Sequence, residues 1–217
     1  MNIELDHVFV FANPGAPEAE EFIRFGLHEA LPNEHSGQGT SCRRFSFANA
    51  MIELLWVSKP REAQSEATRR TLLWERWSAR EGRASPFGVC VRPVNPLQNA
   101  ELPFPAWEYR PAYLPDPLVM HLAETGVEEP MWIYLAFLRR ADRKGWFKEH
   151  PAGIREITGL SLTTHTALRS TASLRMIENR ILSNREAGKP LLEIEFDGKQ
   201  QNRVADFRPN LPIVFWL

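Results

Sequence analysis

Short apolar runs bounded by turn residues constrain the fold of this chain more than any other feature of its sequence. "IELDHVFVF" (3–11), "AMIELLWV" (50–57) and "PFGVCVRP" (86–93) have the length and composition of buried strands. Helical spacing occurs in three places: after Pro17, at 61–82 and at 170–190. Prolines cluster between 86 and 117, which is typical of extended, irregular chain rather than of a helix bundle. The sequence therefore predicts an α+β protein.

One arrangement of strands and helix occurs near both ends of the chain. In residues 1–57 a strand, a helix after Pro17 and two further strands follow one another, and a strand hidden in 28–35 would make the order βαβββ. In 151–217 strands at 157–164, 191–198 and 211–217 surround a helix at 170–190, for which an apolar face is predicted. That face consists of Leu174, Ile177 and Ile181. We interpret the chain as one domain of two modules, joined by an irregular region at about 58–150.

Two polar residues interrupt otherwise apolar strands. Strand alternation places His7 on the face of Leu5, Phe9 and Phe11. In the same way Glu53 shares a face with Met51 and Leu55. A carboxylate is costly to bury alone, so Glu53 needs a partner. Two interpretations stay open. In the first, His7 and Glu53 hydrogen-bond to each other, or to water at the edge of the sheet. In the second, they form half of a divalent metal site.

The loop "HSGQGT" offers further polar groups beside these strands. His35, Gln38 and Thr40 are spaced by glycines and are candidates for closing over a bound molecule, although a plain turn explains them equally well. The loop lacks the Lys-Ser/Thr ending of a P-loop. Arg43 and Arg44 alternate, so one of them points toward the His7 face; we assign Arg43 as the candidate for an anionic substrate group.

Composition excludes several classes of function. The 217 residues include 26 basic and 27 acidic side chains, a balance that argues against nucleic-acid binding. We expect no transmembrane helix and no signal peptide, because the chain lacks a run of about 18 apolar residues and a basic N-terminus followed by an apolar stretch. The two cysteines, Cys42 and Cys90, have no metal-binding spacing, which suits the cytoplasm.

The segments "LDHVFVF", "HSGQGT" and "IEL" resemble the vicinal-oxygen-chelate superfamily, and more narrowly its glyoxalase-like branch. The resemblance implies paired βαβββ modules that form an open, half-barrel mixed sheet with helices outside. It also implies one divalent ion (Zn, Ni, Mn or Fe) bound by His7 and Glu53, with Glu53 as the candidate catalytic group. Two modules in one chain can close such a sheet alone, and members of the superfamily often form homodimers.

The second half offers no obvious counterpart to these two ligands. Aligning "ITGLSLTT" and "PIVFWL" with the first module puts Gly159 opposite His7 and Ile213 opposite Glu53. With "PFGVCVRP" as the alternative first strand, Gly88 takes the place of His7. His121, which interrupts the apolar run "LVMHLA", is therefore the predicted third ligand.

Two functional hypotheses follow from the resemblance. The first is a metal-assisted lyase, isomerase or dioxygenase that acts on a small oxygen-rich molecule. The second is a metal-free protein of the same fold that binds a small molecule, as the antibiotic-sequestering members do.

Overall fold

The computed structural model describes residues 3–95, 101–139, 145, 147–186 and 188–217. Its helices and strands, in chain order, are β1 (Ile3–Phe11), α1 (Ala19–Phe25), β2 (Ala30–His35), β3 (Thr40–Ser46), β4 (Met51–Val57), α2 (Pro60–Ala63), α3 (Leu73–Ser78), β5 (Phe87–Pro93), β6 (Ala106–Tyr109), β7 (Met120–Ala123), β8 (Met131–Tyr134), β9 (Ile157–Thr164), α4 (Thr171–Glu178), β10 (Ser183–Glu186), β11 (Leu191–Phe196), β12 (Val204–Asp206) and β13 (Ile213–Trp216). The predicted α+β class is confirmed.

The strands form two mixed sheets. An eight-stranded sheet has the order β2-β3-β4-β1-β5-β8-β7-β6, and a five-stranded sheet has the order β10-β9-β11-β13-β12. None of the helices in the described part of the chain is long and apolar enough to cross a membrane.

The eight-stranded sheet contains one pairing pattern twice. β1 pairs with β4 in parallel, and β4, β3 and β2 follow in antiparallel order. β5 pairs with β8 in parallel, and β8, β7 and β6 follow in the same way. The two halves meet where β1 and β5 run antiparallel.

The partner of the first module is therefore not the C-terminal segment that the sequence predicted. Residues 87–134 complete the eight-stranded sheet, whereas 157–216 build the separate five-stranded one. The mistaken alignment has a physical origin: both segments begin with a strand-length apolar run, and a periodic pattern cannot say which run pairs with β1.

The larger hydrophobic core joins the two sheets. Phe22 of α1 packs edge-on against Phe45 of the first sheet, with ring centroids 5.1 Å apart, and its ring is tilted against Phe215 of the second sheet, also at 5.1 Å. Val8, Val10 and the other inward residues of β1 and β4 lie in the same cluster. α1 ends at Gly26, whose positive φ of 107° suits a residue without a Cβ.

The C-terminal helix is shorter than predicted and turns a different face inward. The pattern at 170–190 predicted one long helix, but α4 ends at Glu178 and β10 follows. Leu174 and Ile177 are 48% and 37% exposed, while Ala172, Ser173 and Met176 are buried. Packing against the first sheet explains this choice, since Ser173 accepts a hydrogen bond from Trp132 Nε1 at 2.9 Å.

Glu129 supports the start of α4 from the other sheet. One carboxylate oxygen accepts hydrogen bonds from the backbone N–H groups of Arg169 and Ser170, at 2.9 and 3.0 Å, and the other accepts from the hydroxyls of Ser170 and Ser173. Burial opposes the ionised carboxylate, but the hydrogen bonds from Ser170 and Ser173 outweigh it and lower the pKa of Glu129.

We predict that Glu129→Gln destabilises the protein by about 1–3 kcal/mol, because the amide cannot accept all four hydrogen bonds. Urea unfolding would measure the loss. Glu128→Gln, a change at the exposed neighbouring residue, is the matched control and should leave the midpoint almost unchanged. Equal effects of the two substitutions would contradict a bridging role for Glu129.

A buried histidine fixes the connection that leads from the first sheet into the second. His150 Nδ1 accepts a hydrogen bond from the backbone N–H of His28 at 2.9 Å, and its Nε2 lies 3.1 Å from the carbonyl of Ser46. This pattern requires the neutral ring with its proton on Nε2. Burial is the main reason that the pKa of His150 is lowered from 6.5.

We predict that His150 makes stability fall with acidity. Since its pKa is lower in the folded than in the unfolded chain, the unfolded state binds more protons once the pH drops below 6.5. The free energy of unfolding, measured by urea titration between pH 7.5 and 5, should decrease less steeply in His150→Gln than in the parent protein. The same change at exposed His165 is the control, and identical slopes for both variants would refute the assignment.

Candidate functional site

The outer face of the eight-stranded sheet forms one wall of a cavity of about 430 Å³. α3 and the segments around Tyr113 and Phe137 supply the remaining walls. A larger cavity of about 680 Å³ lies beside edge strand β2, but its lining includes exposed side chains such as Leu31 and Lys148. The smaller cavity collects the buried ionisable groups and is therefore the candidate site.

Sheet register explains how these groups converge. His7 lies beside Met51 and Cys90 on the neighbouring strands, and Glu53 lies beside Phe9 and Arg44. Neighbouring residues in register point to the same side of a sheet. His7 and Glu53, for which the sequence predicted a face only within each strand, therefore lie on the same face of the sheet.

A β-bulge corrects one detail of that prediction. The register between β1 and β5 shifts between Leu5 and His7, so one extra residue, Asp6, is accommodated there. Leu5 consequently packs on the core side rather than on the face of His7. The bulge also brings Asp6 beside His7, with Asp6 Oδ1 2.6 Å from His7 Nδ1.

His7 is held as a charged donor at the edge of the cavity. Its side chain is only 12% exposed, and burial by itself lowers its pKa. The negative charges of Cys90 and Glu53 and the hydrogen bond to Asp6 act the other way, so the pKa of His7 is raised well above 6.5.

Three ligand-type residues lie close together beside the cavity, and two of them, His35 and Glu53, line it. One ligand atom each of His35, Cys42 and Glu53 lies within 4.8 Å of the other two, and all three side chains are buried. Cys42 hydrogen-bonds to Glu53; burial is the largest cause of the raised pKa of its thiol, and the charge of Glu53 adds to it. The cluster is thus a candidate metal centre that differs from the predicted one in two of its three members.

The orientation of His35 is fixed by the loop that the sequence singled out. His35 Nδ1 lies 2.9 Å from Thr40 Oγ1, which also accepts a hydrogen bond from Gln38 Nε2 at 2.7 Å. The ring also packs on Tyr113, with centroids 4.9 Å apart. Burial lowers the pKa of His35, so the ring is neutral.

Two predicted site residues lie elsewhere. His121 faces away from the cavity, because its neighbours Met120 and Leu122 line it and strand alternation turns His121 toward Tyr134. Arg43 points to the opposite side of β3 and forms ion pairs with Glu29 and Glu20, at 2.6 and 2.8 Å. Arg44 lines the cavity instead.

The sequence missed Cys42, Cys90 and Tyr113. Cys42 and Cys90 read as ordinary apolar members of strands, and only the register with β4 and β1 shows which groups they meet. Tyr113 lies in the proline-rich stretch, where no periodic pattern places a side chain. Its hydroxyl lies 3.7 Å from Met120 Sδ, and its pKa is raised well above 10, chiefly by burial.

The fold and site together define an α+β protein with a buried His/Cys/Glu cluster beside an apolar cavity. The chain matches no protein-family model and no curated protein. Among solved structures it is similar to a hypothetical protein from Staphylococcus aureus, with 12% sequence identity and a TM-score of 0.54 over 99% of both chains. At that identity the likeness concerns the fold alone.

Gly88 leaves the space that the Phe9 ring occupies in the cavity wall. It lies opposite Phe9, and a Cβ at this position would overlap the Phe9 ring. We predict that Gly88→Ala displaces the ring and costs about 1–3 kcal/mol of stability.

Chemical denaturation would measure this cost. Gly82→Ala is the control, because a Cβ there meets its nearest atom at 3.4 Å. A loss no larger than that of the control would show that Phe9 accommodates the methyl group freely.

Proposed function

We propose that this protein is a metal-dependent enzyme of the vicinal-oxygen-chelate type, acting on a small molecule that joins adjacent oxygens to an apolar body. The observation that carries the proposal is the cluster of His35, Cys42 and Glu53 beside the cavity. The twice-occurring strand pattern of β1–β4 and β5–β8 supports it, because paired modules are what the sequence resemblance implies.

The residues present fit a bound divalent ion. They supply one imidazole, one thiol and one carboxylate, the donor types that zinc takes in proteins. When His35 donates from Nδ1 to Thr40, its Nε2 lone pair is free for a metal. Gln38 bonds to the same Thr40 hydroxyl, and Tyr113 packs against the ring. Cys42 would bind as a thiolate after losing its proton.

The donor set also favours one class of chemistry over another. Thiolate sulfur selects zinc over the harder ions that carboxylates alone would hold. Zinc has no redox chemistry, so we favour a lyase or isomerase over a dioxygenase. A bound ion would supply Lewis-acid polarisation of the substrate oxygens.

The remaining groups have roles that follow from their charge. His7, protonated and oriented by Asp6, can donate a hydrogen bond or a proton to a substrate oxygen. Tyr113 stays neutral and offers a second donor. The apolar walls exclude water and hold the body of the substrate, which strengthens both interactions.

The second hypothesis, a metal-free binding protein, is favoured by one observation. Aliphatic, methionine and phenylalanine side chains supply more than half of the cavity lining; they are Phe9, Met51, Leu55, Leu73, Leu114, Met120, Leu122, Met131, Ile133, Leu135, Phe137 and Leu138. Apolar surface of this kind binds small molecules without any catalytic step.

Metal analysis distinguishes the two. We predict that protein produced with added zinc retains about one equivalent after gel filtration, and that Glu53→Gln, His35→Asn and Cys42→Ser each fall to about a tenth or less. Mass spectrometry of the metal content provides the measurement.

His121→Asn serves as the control and should retain the metal, because His121 faces away from the cluster. Parent protein without metal that nevertheless binds apolar ligands would support the binding hypothesis instead.

A further inference from the structure

Cys90 is a buried thiol of the cavity wall that the proposed metal cluster does not use. It lies on β5 directly beside His7 of β1, its partner in the strand register. Its side chain lines the same cavity, opposite the apolar wall that includes Leu73 and Phe137. A thiol paired with an imidazole in a ligand-sized cavity is a candidate nucleophile.

His7 is in turn oriented by a fixed acid. Asp6 Oδ1 lies 2.6 Å from His7 Nδ1, which leaves Nε2 as the ring nitrogen for Cys90. Asp6 also forms a buried ion pair with Arg92, and Arg92 bonds to Glu4 Oε1 at 2.9 Å and to the carbonyl of Asn49 at 2.8 Å. Nucleophile, base and orienting carboxylate thus stand in the order that activated nucleophiles require.

We propose that Cys90, His7 and Asp6 form a thiol-addition site for an apolar α,β-unsaturated carbonyl compound bound in the cavity. Addition is the reaction that these residues complete alone, because it needs neither a leaving group nor a second substrate. The proposal does not depend on the metal cluster, which involves other side chains.

The step balances within the site. The sulfur forms a bond to the β-carbon while the carbon–carbon π pair shifts toward the carbonyl oxygen. In the reacting form the thiol proton lies on His7, which is the charged state of the ring described above. His7 Nε2 gives that proton to the α-carbon, so that the products are a saturated thioether and a neutral imidazole. Tyr113, whose hydroxyl donates to the weak acceptor Met120 Sδ, can turn to donate to the enolate oxygen.

Cys90 and Cys42, the two buried cysteines, should differ in reactivity. Burial raises the pKa of Cys90, but the charge and the hydrogen bond of His7 act against that rise. For Cys42 the neighbour is the carboxylate of Glu53, which adds to the effect of burial. The thiolate is the reactive form, so Cys90 is the favoured site of attack.

Modification by phenyl vinyl ketone tests the proposal. Purified full-length protein is treated with the ketone, with and without a metal chelator, and adducts are located by peptide mass mapping. We expect Cys90 to react at least about tenfold faster than Cys42. We expect His7→Asn to slow Cys90 by about 10²-fold and Asp6→Asn to slow it less.

Controls separate a specific role from a loss of fold. His121→Asn, on the other face of the sheet, should leave the Cys90 rate within about twofold, because the His121 ring lies against Tyr134 and not beside the thiol. The pH profile adds a second readout: without His7, the reaction should begin only at higher pH, whereas unfolding would expose both cysteines equally.

Two results would overturn the proposal: equal rates at Cys90 and Cys42 in the folded parent protein, or an unchanged Cys90 rate in a folded His7→Asn variant. Metal content separates this outcome from failure of the proposed function, because Cys90→Ser should keep its metal while losing the adduct.

Discussion

The buried ion pair between Arg92 and Asp6 is the interaction on which the site depends. Both side chains are fully buried, and Arg92 reaches Glu4 and the carbonyl of Asn49 as well. It therefore ties β5 to β1, the two strands at which the halves of the eight-stranded sheet meet. Removing charges from water is costly, and a pair of this kind persists only where every donor finds an acceptor. Here the acceptors come from β1 and from the turn before β4.

The same pair links the two sheets. Asn49, whose carbonyl accepts from Arg92, uses its side chain to bond the backbone of Ile157 at the start of β9, at 2.7 and 2.9 Å. A bulge in β1 makes this possible, because it lets Asp6 and His7 lie on one side of the strand. One local irregularity thus positions a cavity histidine and a contact between the sheets.

The site combines an apolar cavity with ionisable groups of which some are kept neutral and one is kept charged. Burial favours neutral forms, and it keeps His35 and Tyr113 uncharged. His7 is the exception: its pKa is raised, because Cys90, Glu53 and Asp6 stabilise the charged ring more than burial opposes it. Groups whose environments push their pKa values apart in this way are typical of sites that move protons or bind ions. They support the proposed function without naming its substrate.

The strands could be predicted from the sequence because their signal is local. β1, β4, β5 and β9 coincide with apolar runs, and alternation assigned His7 and Glu53 each to a face of its own strand. The edge strands have weaker sequence patterns, because they bury few apolar side chains; they are β2, β6, β10 and β12. Of these, the sequence offered β2 only as an alternative. The helix predicted at 170–190 exists but is shorter, and it buries another face because tertiary packing against Trp132 selected that face.

By itself, the sequence determined the class of fold and the pair His7 and Glu53, because strand-length apolar runs and their alternation are properties of neighbouring residues. Only the tertiary structure decided that 87–134 completes the sheet, that Cys42 and His35 rather than His121 approach Glu53, and that Asp6 and Cys90 flank His7. Each of these depends on which strands pair and in which register. Register is set by contacts between residues far apart in the chain, and no local pattern contains them.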